Sequence, residues 1–239
     1  MIGRMDPDPD SWRPQGFGRR RVNDVADPVI EPAWSGVRVL AHLDAAAARA
    51  VIRDENGEDL AADYAPVAQA LLAALAAETA VLDGYLTDQA TRSSAGRAIA
   101  DVEIPSFGEQ ASQMFLGRRA RSAAGGRLRP AELNRPRSNE DAGGDGDETP
   151  IAFVAVDLLA LDGESLVRIP LLERKRLMES ALAEGELVRR TPFVRPPASP
   201  FILTWRSLGF GGLAYKAANS RYLPGAPNDE WCLARMPRR

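Results

Sequence analysis

The feature that most constrains the fold is a nearly continuous apolar run, residues 151–159 (Ile-Ala-Phe-Val-Ala-Val-Asp-Leu-Leu). Successive side chains of a strand point to opposite faces, so this composition indicates a strand that is buried on both sides. Residues 170–183 follow with apolar side chains at helical spacing, at positions 171, 172, 177, 178 and 182. Helices that alternate with strands predict an α+β or α/β domain.

Local patterns predict the remaining elements. Extended segments flank a turn at Ser35-Gly36, and the strand 50–53 leads into Asn56-Gly57, a dipeptide that favours a tight hairpin turn. Residues 65–80 are rich in alanine and leucine and lack glycine, which favours a helix with Pro66 in its first turn. Short apolar runs predict strands at 81–86, 201–204, 213–215 and 231–234, and residues 105–118 a short helix.

Two segments have a composition that disfavours a packed core. Residues 1–27 are rich in Asp, Pro, Arg and Gly and are expected to form a flexible leader. Residues 118–150 hold seven arginines and then five acidic residues among glycines, which predicts a disordered insertion. The arginines are read as solvated, with contact to DNA phosphates as the alternative.

The composition excludes several kinds of chemistry. One cysteine, Cys232, cannot form an internal disulfide, and with the single histidine, His42, it cannot supply the four ligands of a structural zinc site. His42 lies in a predicted strand, which favours a structural role. No apolar run approaches the roughly 20 residues that span a bilayer, and the polar N-terminus is no secretory signal. We therefore expect a cytoplasmic protein without membrane contact.

Lysine is scarce in this chain. The 30 basic residues are 28 arginines and two lysines, Lys175 and Lys216. Chemistry that needs a lysine amine is thus confined to two positions. Lys175 stands between Arg174 and Arg176 on the predicted helix 170–183, where a solvated surface cation is expected.

Five short segments stand in a distinctive order along the chain. They are Glu31-Pro32-Ala33-Trp34-Ser35-Gly36-Val37-Arg38, Asp54-Glu55-Asn56-Gly57, Leu82-Asp83-Gly84-Tyr85, the strand that ends in Asp157-Leu158-Leu159 with Pro170-Leu171-Leu172-Glu173-Arg174, and Gly211-Gly212-Leu213-Ala214-Tyr215-Lys216 with Trp231-Cys232-Leu233-Ala234-Arg235. Their order and spacing resemble the nucleotidyltransferase (adenylation) domain of ATP-dependent DNA ligases, particularly the bacterial end-joining type. The resemblance covers about residues 28–236.

The resemblance implies a specific chemistry. In these ligases a lysine amine attacks the α-phosphate of ATP, and the resulting lysyl-AMP passes AMP to a 5′-phosphate at a DNA nick. At the position of that lysine this chain has Ala33, whose methyl group cannot form the bond. Other family residues are replaced by Ser35, Glu55, Tyr85, Gly211 and Leu233, three of them (Ser35, Tyr85 and Gly211) at carboxylate positions. We therefore predict no catalytic residue and no metal ligand, with Mg²⁺ binding not expected.

The resemblance also implies the fold and the residues that remain. It implies an α+β, ATP-grasp-like nucleotidyltransferase domain, residues 28–117 and 151–237, with antiparallel sheets flanked by helices. No OB-fold domain is expected after the last motif. Glu31, Arg38, Lys216 and Arg235 match family positions around the nucleotide, so they are the predicted nucleotide-binding residues, with weak ATP binding as the cofactor prediction.

Three functions remain open from the sequence. The first is a catalytically inactive ligase-like domain that binds a nucleotide, nicked or broken DNA, or a DNA-repair protein. The second is an active nucleotidyltransferase or DNA ligase that uses Lys216 or an OB domain from a partner. The third is a module for protein interaction alone.

Overall fold

The computed structural model describes residues 8–90 and 150–237, and within them it contains three α-helices and eleven strands. The helices are α1 (Ala65–Ala74), α2 (Leu171–Ala181) and α3 (Ser199–Ser207). The strands are β1 (Gly16–Phe17), β2 (Pro28–Pro32), β3 (Val37–Asp44), β4 (Arg49–Asp54), β5 (Thr79–Thr87), β6 (Ala152–Leu161), β7 (Glu164–Ser165), β8 (Val188–Arg190), β9 (Gly212–Ala217), β10 (Pro227–Asn228) and β11 (Trp231–Arg235). Short 3₁₀ turns lie at Pro9–Ser11 and Val22–Asp24.

The larger sheet is mainly antiparallel, with the order β4-β3-β5-β6-β7, and β8 joins β6 as a parallel neighbour. A smaller antiparallel sheet has the order β11-β9-β2, and β1 pairs with β10 in a two-stranded parallel ladder. This arrangement is the α+β class that the sequence predicts. The tight turn at Asn56-Gly57 is also present, with Gly57 at a φ of 89°.

The central strands of the larger sheet are buried on both faces, as the apolar run at 151–159 predicts. One face of β6 presents Phe153, Ala155 and Leu158 to a core shared with α1 and α2. The other face presents Val154 and Val156 to a core that includes residues of the smaller sheet and of α3. Alternation along the strand, shifted by an irregularity in its pairing with β5 between Ala155 and Asp157, therefore places this sheet between a helical layer and the smaller sheet.

Residues 8–27 differ from the expected flexible leader. Trp12 is buried in a core cluster that contains residues of both sheets and of α2, and Gln15 is 1% exposed. The backbone N–H of Gln15 donates to the Tyr222 hydroxyl at 2.8 Å, and Gly16–Phe17 pairs with Pro227–Asn228. The polar average composition of the segment did not indicate this packing, because only two aromatic residues and one amide attach the segment to the domain.

Residues 201–204 form part of helix α3, so the predicted strand there is wrong. A four-residue apolar run fits a buried helix turn as well as a strand, and the deciding signal is Pro200 in the first helical turn. The helix predicted over 65–80 ends at Ala74, and β5 already begins at Thr79. The predicted helix 105–118 and nearly all of the insertion 118–150 lie outside the described residues.

Candidate functional site

A cavity of about 100 Å³ lies between the two sheets and is lined by residues from several of the motif segments. The residues that line it come from β1 and the segment before it, from β2 and the two residues after it, from β3, β5, β6, β9 and β11, and from the 54–57 turn. They are Pro14, Gln15, Gly16, Phe17, Glu31, Pro32, Ala33, Trp34, Arg38, Glu55, Tyr85, Val156, Ala214, Lys216 and Leu233. Segments far apart in sequence therefore meet at one site, as the resemblance implies.

Gly36 explains how the chain turns from β2 into β3 beside the cavity. Its φ is 125°, a backbone conformation that other residues rarely adopt. A Cβ atom at this position would lie 2.2 Å from the Leu86 carbonyl oxygen. Glycine is thus required at this position. The turn carries the chain from Ala33, directly after β2, to Arg38 on β3, and both residues line the cavity.

Glu31 bridges both lysines of the chain. Its Oε1 lies 2.6 Å from Lys175 Nζ, and its Oε2 lies 2.8 Å from Lys216 Nζ. Lys175 Nζ also donates to the Val156 carbonyl at 3.0 Å, and Lys216 Nζ sits 4.2 Å from the centre of the Trp231 ring. Burial lowers the pKa of Lys216, and the charge of Lys175 lowers it further against the opposing effect of Glu31.

The prediction of a solvated Lys175 is wrong, since its side chain is 0% exposed. The buried face of α2 carries Leu171, Arg174, Lys175 and Met178, whereas Leu177 is 38% exposed. Positions 171, 174, 175 and 178 follow the i, i+3, i+4, i+7 spacing of one helix face. Two cations therefore occupy core positions, because each has a buried carboxylate partner on a neighbouring strand.

Arg38 forms a bidentate ion pair with Asp83 on the adjacent strand, with distances of 3.0 Å and 2.6 Å. The Tyr222 hydroxyl donates to the same carboxylate at 2.8 Å. The guanidinium lies between the rings of Phe17 and Tyr85, 5.5 and 5.6 Å from their centres. Burial lowers the pKa of Arg38, but the combined effects of Asp83, Tyr85 and Tyr222 raise it well above its ordinary value.

A second bidentate ion pair, Arg174 with Asp157, is buried outside the lining of the cavity. Arg174 Nε and Nη2 donate to Asp157 at 2.9 Å and 2.7 Å, and both side chains are fully buried. Arg174 Nη1 donates to the Ser220 carbonyl at 3.1 Å, which fixes α2 to the loop after β9. The pair therefore joins the helix to both sheets.

One wall of the cavity is apolar. Ala33, Ala214 and Leu233 form a small buried cluster, and Phe17 packs against it. Ala33 and Leu233 occupy positions at which the ligases that this chain resembles have lysines. Apolar side chains therefore replace two amines at this wall. The backbone N–H of Ala33 donates to the Gly212 carbonyl at 3.0 Å, which keeps the segment in the position that the motif implies.

The predicted nucleotide-binding residues do not all meet. Glu31, Arg38 and Lys216 line the cavity, whereas Arg235 is exposed at the end of β11 and does not line it. Their binding roles remain predictions. The sequence patterns assign no role to Gln15, Phe17 or Tyr222, and only the aromatic or amide character of these residues within polar segments points to them. His42 on β3 is also outside the cavity.

The comparisons with known proteins agree with this geometry. No family model matches the chain. The multifunctional non-homologous end joining protein LigD of Mycolicibacterium smegmatis is 28% identical over 204 residues, 84% of this chain and 20% of that protein. DNA ligase C1 of the same organism is 28% identical over 197 residues, 82% of this chain and 48% of that protein.

The solved ligase domain of M. tuberculosis LigD superposes with a TM-score of 0.61 at 23% identity, covering 95% of this chain and 60% of that one. The fold is that of a DNA ligase adenylation domain. A mycobacterial DNA ligase D complexed with ATP and MES gives a TM-score of 0.59 at 22% identity, over 97% of this chain and 62% of that one. The ligase-like resemblance and the α+β nucleotidyltransferase fold are thereby confirmed.

The ligase-like chain spans about a fifth of the length of the LigD proteins that it matches. Within residues 8–90 and 150–237, no helix is long and apolar enough to cross a membrane. The same residues hold no group of three or more His, Cys, Asp and Glu side chains arranged to bind a metal ion.

Proposed function

We propose that this chain is a ligase-fold module of DNA end-joining repair that forms no covalent lysyl-AMP. In this proposal it binds a nucleotide, a broken DNA end or a repair protein without adenylating itself. The observation that carries the proposal is Ala33, which lines the cavity at the position of the family nucleophile. An alanine methyl group has no lone pair with which to attack a phosphate.

The surroundings of Ala33 support the same proposal. The position lies in an apolar cluster with Ala214 and Leu233, against Phe17. An apolar wall disfavours the charged intermediates of phosphoryl transfer, because it supplies neither hydrogen-bond donors nor charge at the reacting atoms. The loss of the nucleophile is thus accompanied by a loss of polarity around it.

The role in end joining is proposed from the relatives. The LigD proteins are named as multifunctional proteins of non-homologous end joining, and their ligase domains share this fold. We extend to this chain a role at broken or nicked DNA, with a separate repair protein as a further partner. Sealing activity, if the complex has any, would then reside in that partner.

The decisive test is incubation of the purified protein with Mg²⁺ and ATP labelled at the α-phosphate, followed by a denaturing gel. The proposal expects no labelled protein band, while the ligase domain of a LigD relative, run in parallel, becomes labelled. A labelled band from this chain would contradict the proposal. The variants Lys216→Met and Lys175→Met would then show which amine carries the label.

One observation favours a second candidate, an active nucleotidyltransferase that uses Lys216. This lysine lines the cavity, and burial lowers its pKa, which raises the fraction of neutral, nucleophilic amine. In that reaction Nζ would form a bond to the α-phosphorus, the bond to the β-phosphate oxygen would break, pyrophosphate would leave and the amine would lose a proton. Its ion pair with Glu31 at 2.8 Å opposes this, because the carboxylate stabilises the protonated amine.

A DNA-binding measurement tests the positive part of the proposal. Fluorescence anisotropy with a nicked duplex and with an intact duplex of the same sequence, at low and moderate salt, compares the two ligands directly. The proposal expects tighter binding of the nicked duplex and a fall in affinity as salt rises. Equal, salt-independent readings for both duplexes would favour the module for protein interaction.

A further inference from the structure

The buried groups beside the cavity carry an excess of positive charge. The cations Lys175, Lys216 and Arg38 are buried together with two carboxylates, Glu31 and Asp83. The pair Arg174–Asp157 is balanced within itself. One buried positive charge therefore has no counter-ion in this group, and a buried unpaired charge is costly. A bound anion would remove that cost.

The buried carboxylates are already engaged by cations. Both oxygens of Glu31 face lysine ammonium groups, and both oxygens of Asp83 accept from Arg38. Asp157 is held in the same bidentate way by Arg174. A divalent cation would have to displace an ion pair and would stand next to ammonium and guanidinium groups, which repel it.

The positions where the family has carboxylates offer no replacement. Tyr85 takes the place of the acid after Asp-Gly, and burial raises the pKa of its hydroxyl, which keeps it neutral. Ser35 donates its hydroxyl to Gln89 Oε1 at 3.1 Å. The residues of this cavity therefore do not fit the Mg²⁺ site that the resemblance implies.

Donors suited to an anion are present instead. Arg38 uses Nε and Nη2 for Asp83, which leaves Nη1 outside the ion pair. Gln15 lines the cavity, and its buried Nε2 has no acceptor among the described residues. A buried amide N–H without an acceptor is unfavourable, so an oxygen supplied by a ligand would stabilise it there.

We propose that the cavity binds the phosphate of a nucleotide directly on Lys216 and Arg38, and that it prefers the metal-free nucleotide to its Mg²⁺ complex. This inference rests on the proposed function and takes the nucleotide, bound without a covalent step, as the ligand of the cavity. Mg²⁺ neutralises two negative charges of ATP, so its complex gains less from the same cations. A ligase-like domain is ordinarily expected to bind ATP together with Mg²⁺. In this chain the carboxylates are engaged in ion pairs, so we expect the opposite preference.

Glu55 is the one cavity carboxylate without an ion pair among residues 8–90 and 150–237. It lies in the exposed turn after β4, at the position of a family arginine. A single exposed carboxylate would be the only place for a metal held jointly by protein and phosphate. The variant Glu55→Gln therefore distinguishes binding of the metal-free nucleotide from binding of a nucleotide whose Mg²⁺ is held by Glu55. It should tighten binding of metal-free ATP about twofold, because it removes a repulsive charge from the rim.

The experiment is isothermal titration of the full chain with ATP in buffer freed of divalent cations, and again with Mg²⁺ in excess over ATP. We expect binding in the metal-free buffer and at least about threefold weaker binding with Mg²⁺. Binding that appears only with Mg²⁺, or binding of the Mg²⁺ complex that is lost in Glu55→Gln, would overturn the inference. So would the absence of binding at millimolar ATP in both buffers.

Two variants test the assigned residues. Lys216→Met should weaken metal-free ATP binding at least about tenfold, and circular dichroism and urea unfolding check that the variant folds. Gln15→Glu, which places a carboxylate on the lining, should weaken it by a similar factor. Unchanged affinity in both folded variants would overturn the assignment. A covalent adduct in the labelled-ATP assay would instead contradict the proposed function, so the two failures are distinguishable.

Discussion

The ammonium group of Lys175 lies 2.6 Å from the carboxylate of Glu31, and both side chains are excluded from solvent. This contact joins α2 to β2, two residues before Ala33. Removing two charges from water is costly, and their attraction offsets that cost only while both partners remain. With Lys216 on its other oxygen, Glu31 is the single carboxylate between two buried ammonium groups.

The first prediction concerns this bridge. Glu31→Gln should lower the free energy of unfolding by about 3–5 kcal/mol, because it leaves two buried ammonium groups facing each other. Lys175→Met should cost less than Glu31→Gln, since the neutral pair of Glu31 and Lys216 remains. Urea unfolding followed by circular dichroism measures both. Equal costs for the two variants would contradict the bridging role of Glu31.

The matched control lies on the same helix. Glu173 pairs with Arg176 at 2.6 Å, but both side chains are about half exposed. Glu173→Gln should change the free energy of unfolding by no more than about 0.5 kcal/mol, because exposed helix pairs are weak. If Glu173→Gln lowered the free energy of unfolding as much as Glu31→Gln, burial would not be the reason that the Glu31 ion pairs matter more.

The second prediction concerns the segment before β2. Trp12→Ala should cost about 3–5 kcal/mol, since it removes a large side chain that is 2% exposed. Arg20→Ala, at an exposed position of the same segment, should stay within about 0.5 kcal/mol. The urea midpoint measures both variants. A flexible leader would instead give two unchanged midpoints.

The third prediction concerns Tyr222, whose hydroxyl donates to Asp83 and accepts the Gln15 N–H. Tyr222→Phe should cost about 1–3 kcal/mol, because a buried N–H loses its acceptor. Tyr64→Phe, which removes a hydroxyl from a partly buried ring at the edge of the helical core, is the control and should cost less. Thermal unfolding of the two variants side by side checks the difference. A smaller loss for Tyr222→Phe would contradict the network.

The fourth prediction uses the only histidine of the chain. Burial lowers the pKa of His42 from 6.5, and the charge of Arg53 lowers it further. The folded state therefore binds this proton less readily than the unfolded state. The contribution of His42 to stability is complete above pH 6.5 and is lost as pH falls from 6.5 through the folded pKa.

Proton NMR measures this directly, because a single histidine gives a single Hε1 resonance. Its titration midpoint should lie below 6.5. Asp10→Asn should lower the midpoint further, since the Asp10 carboxylate lies 3.7 Å from Nδ1 and favours the charged ring. A midpoint above 6.5, or one that rises in Asp10→Asn, would contradict the arrangement.

Much of the fold follows from the sequence. The run at 151–159 is a strand buried on both faces, and the turns at Gly36 and Gly57 both carry positive φ angles. The failures have local causes. Residues 201–204 are too few to distinguish a strand from a helix by periodicity, and Trp12 and Phe17 were hidden in a segment of otherwise polar composition.

The site was less predictable than the fold. The motifs led to Glu31, Arg38 and Lys216, which line one cavity. Lys175 was misassigned because helical periodicity counts a lysine as a surface residue unless its partner is known. That partner, Glu31, lies 144 residues earlier in the chain, and only the packing of α2 against the sheets brings them together.

The most direct test of the central claim is the intact mass of the protein after incubation with ATP and Mg²⁺. We expect the unmodified mass alone, because Ala33 cannot form a phosphoramidate. A LigD ligase domain treated in the same way should gain the mass of an adenylyl group. If this chain gains the same mass, with the modified peptide containing Lys216 or Lys175, the claim of a non-adenylating ligase fold is contradicted.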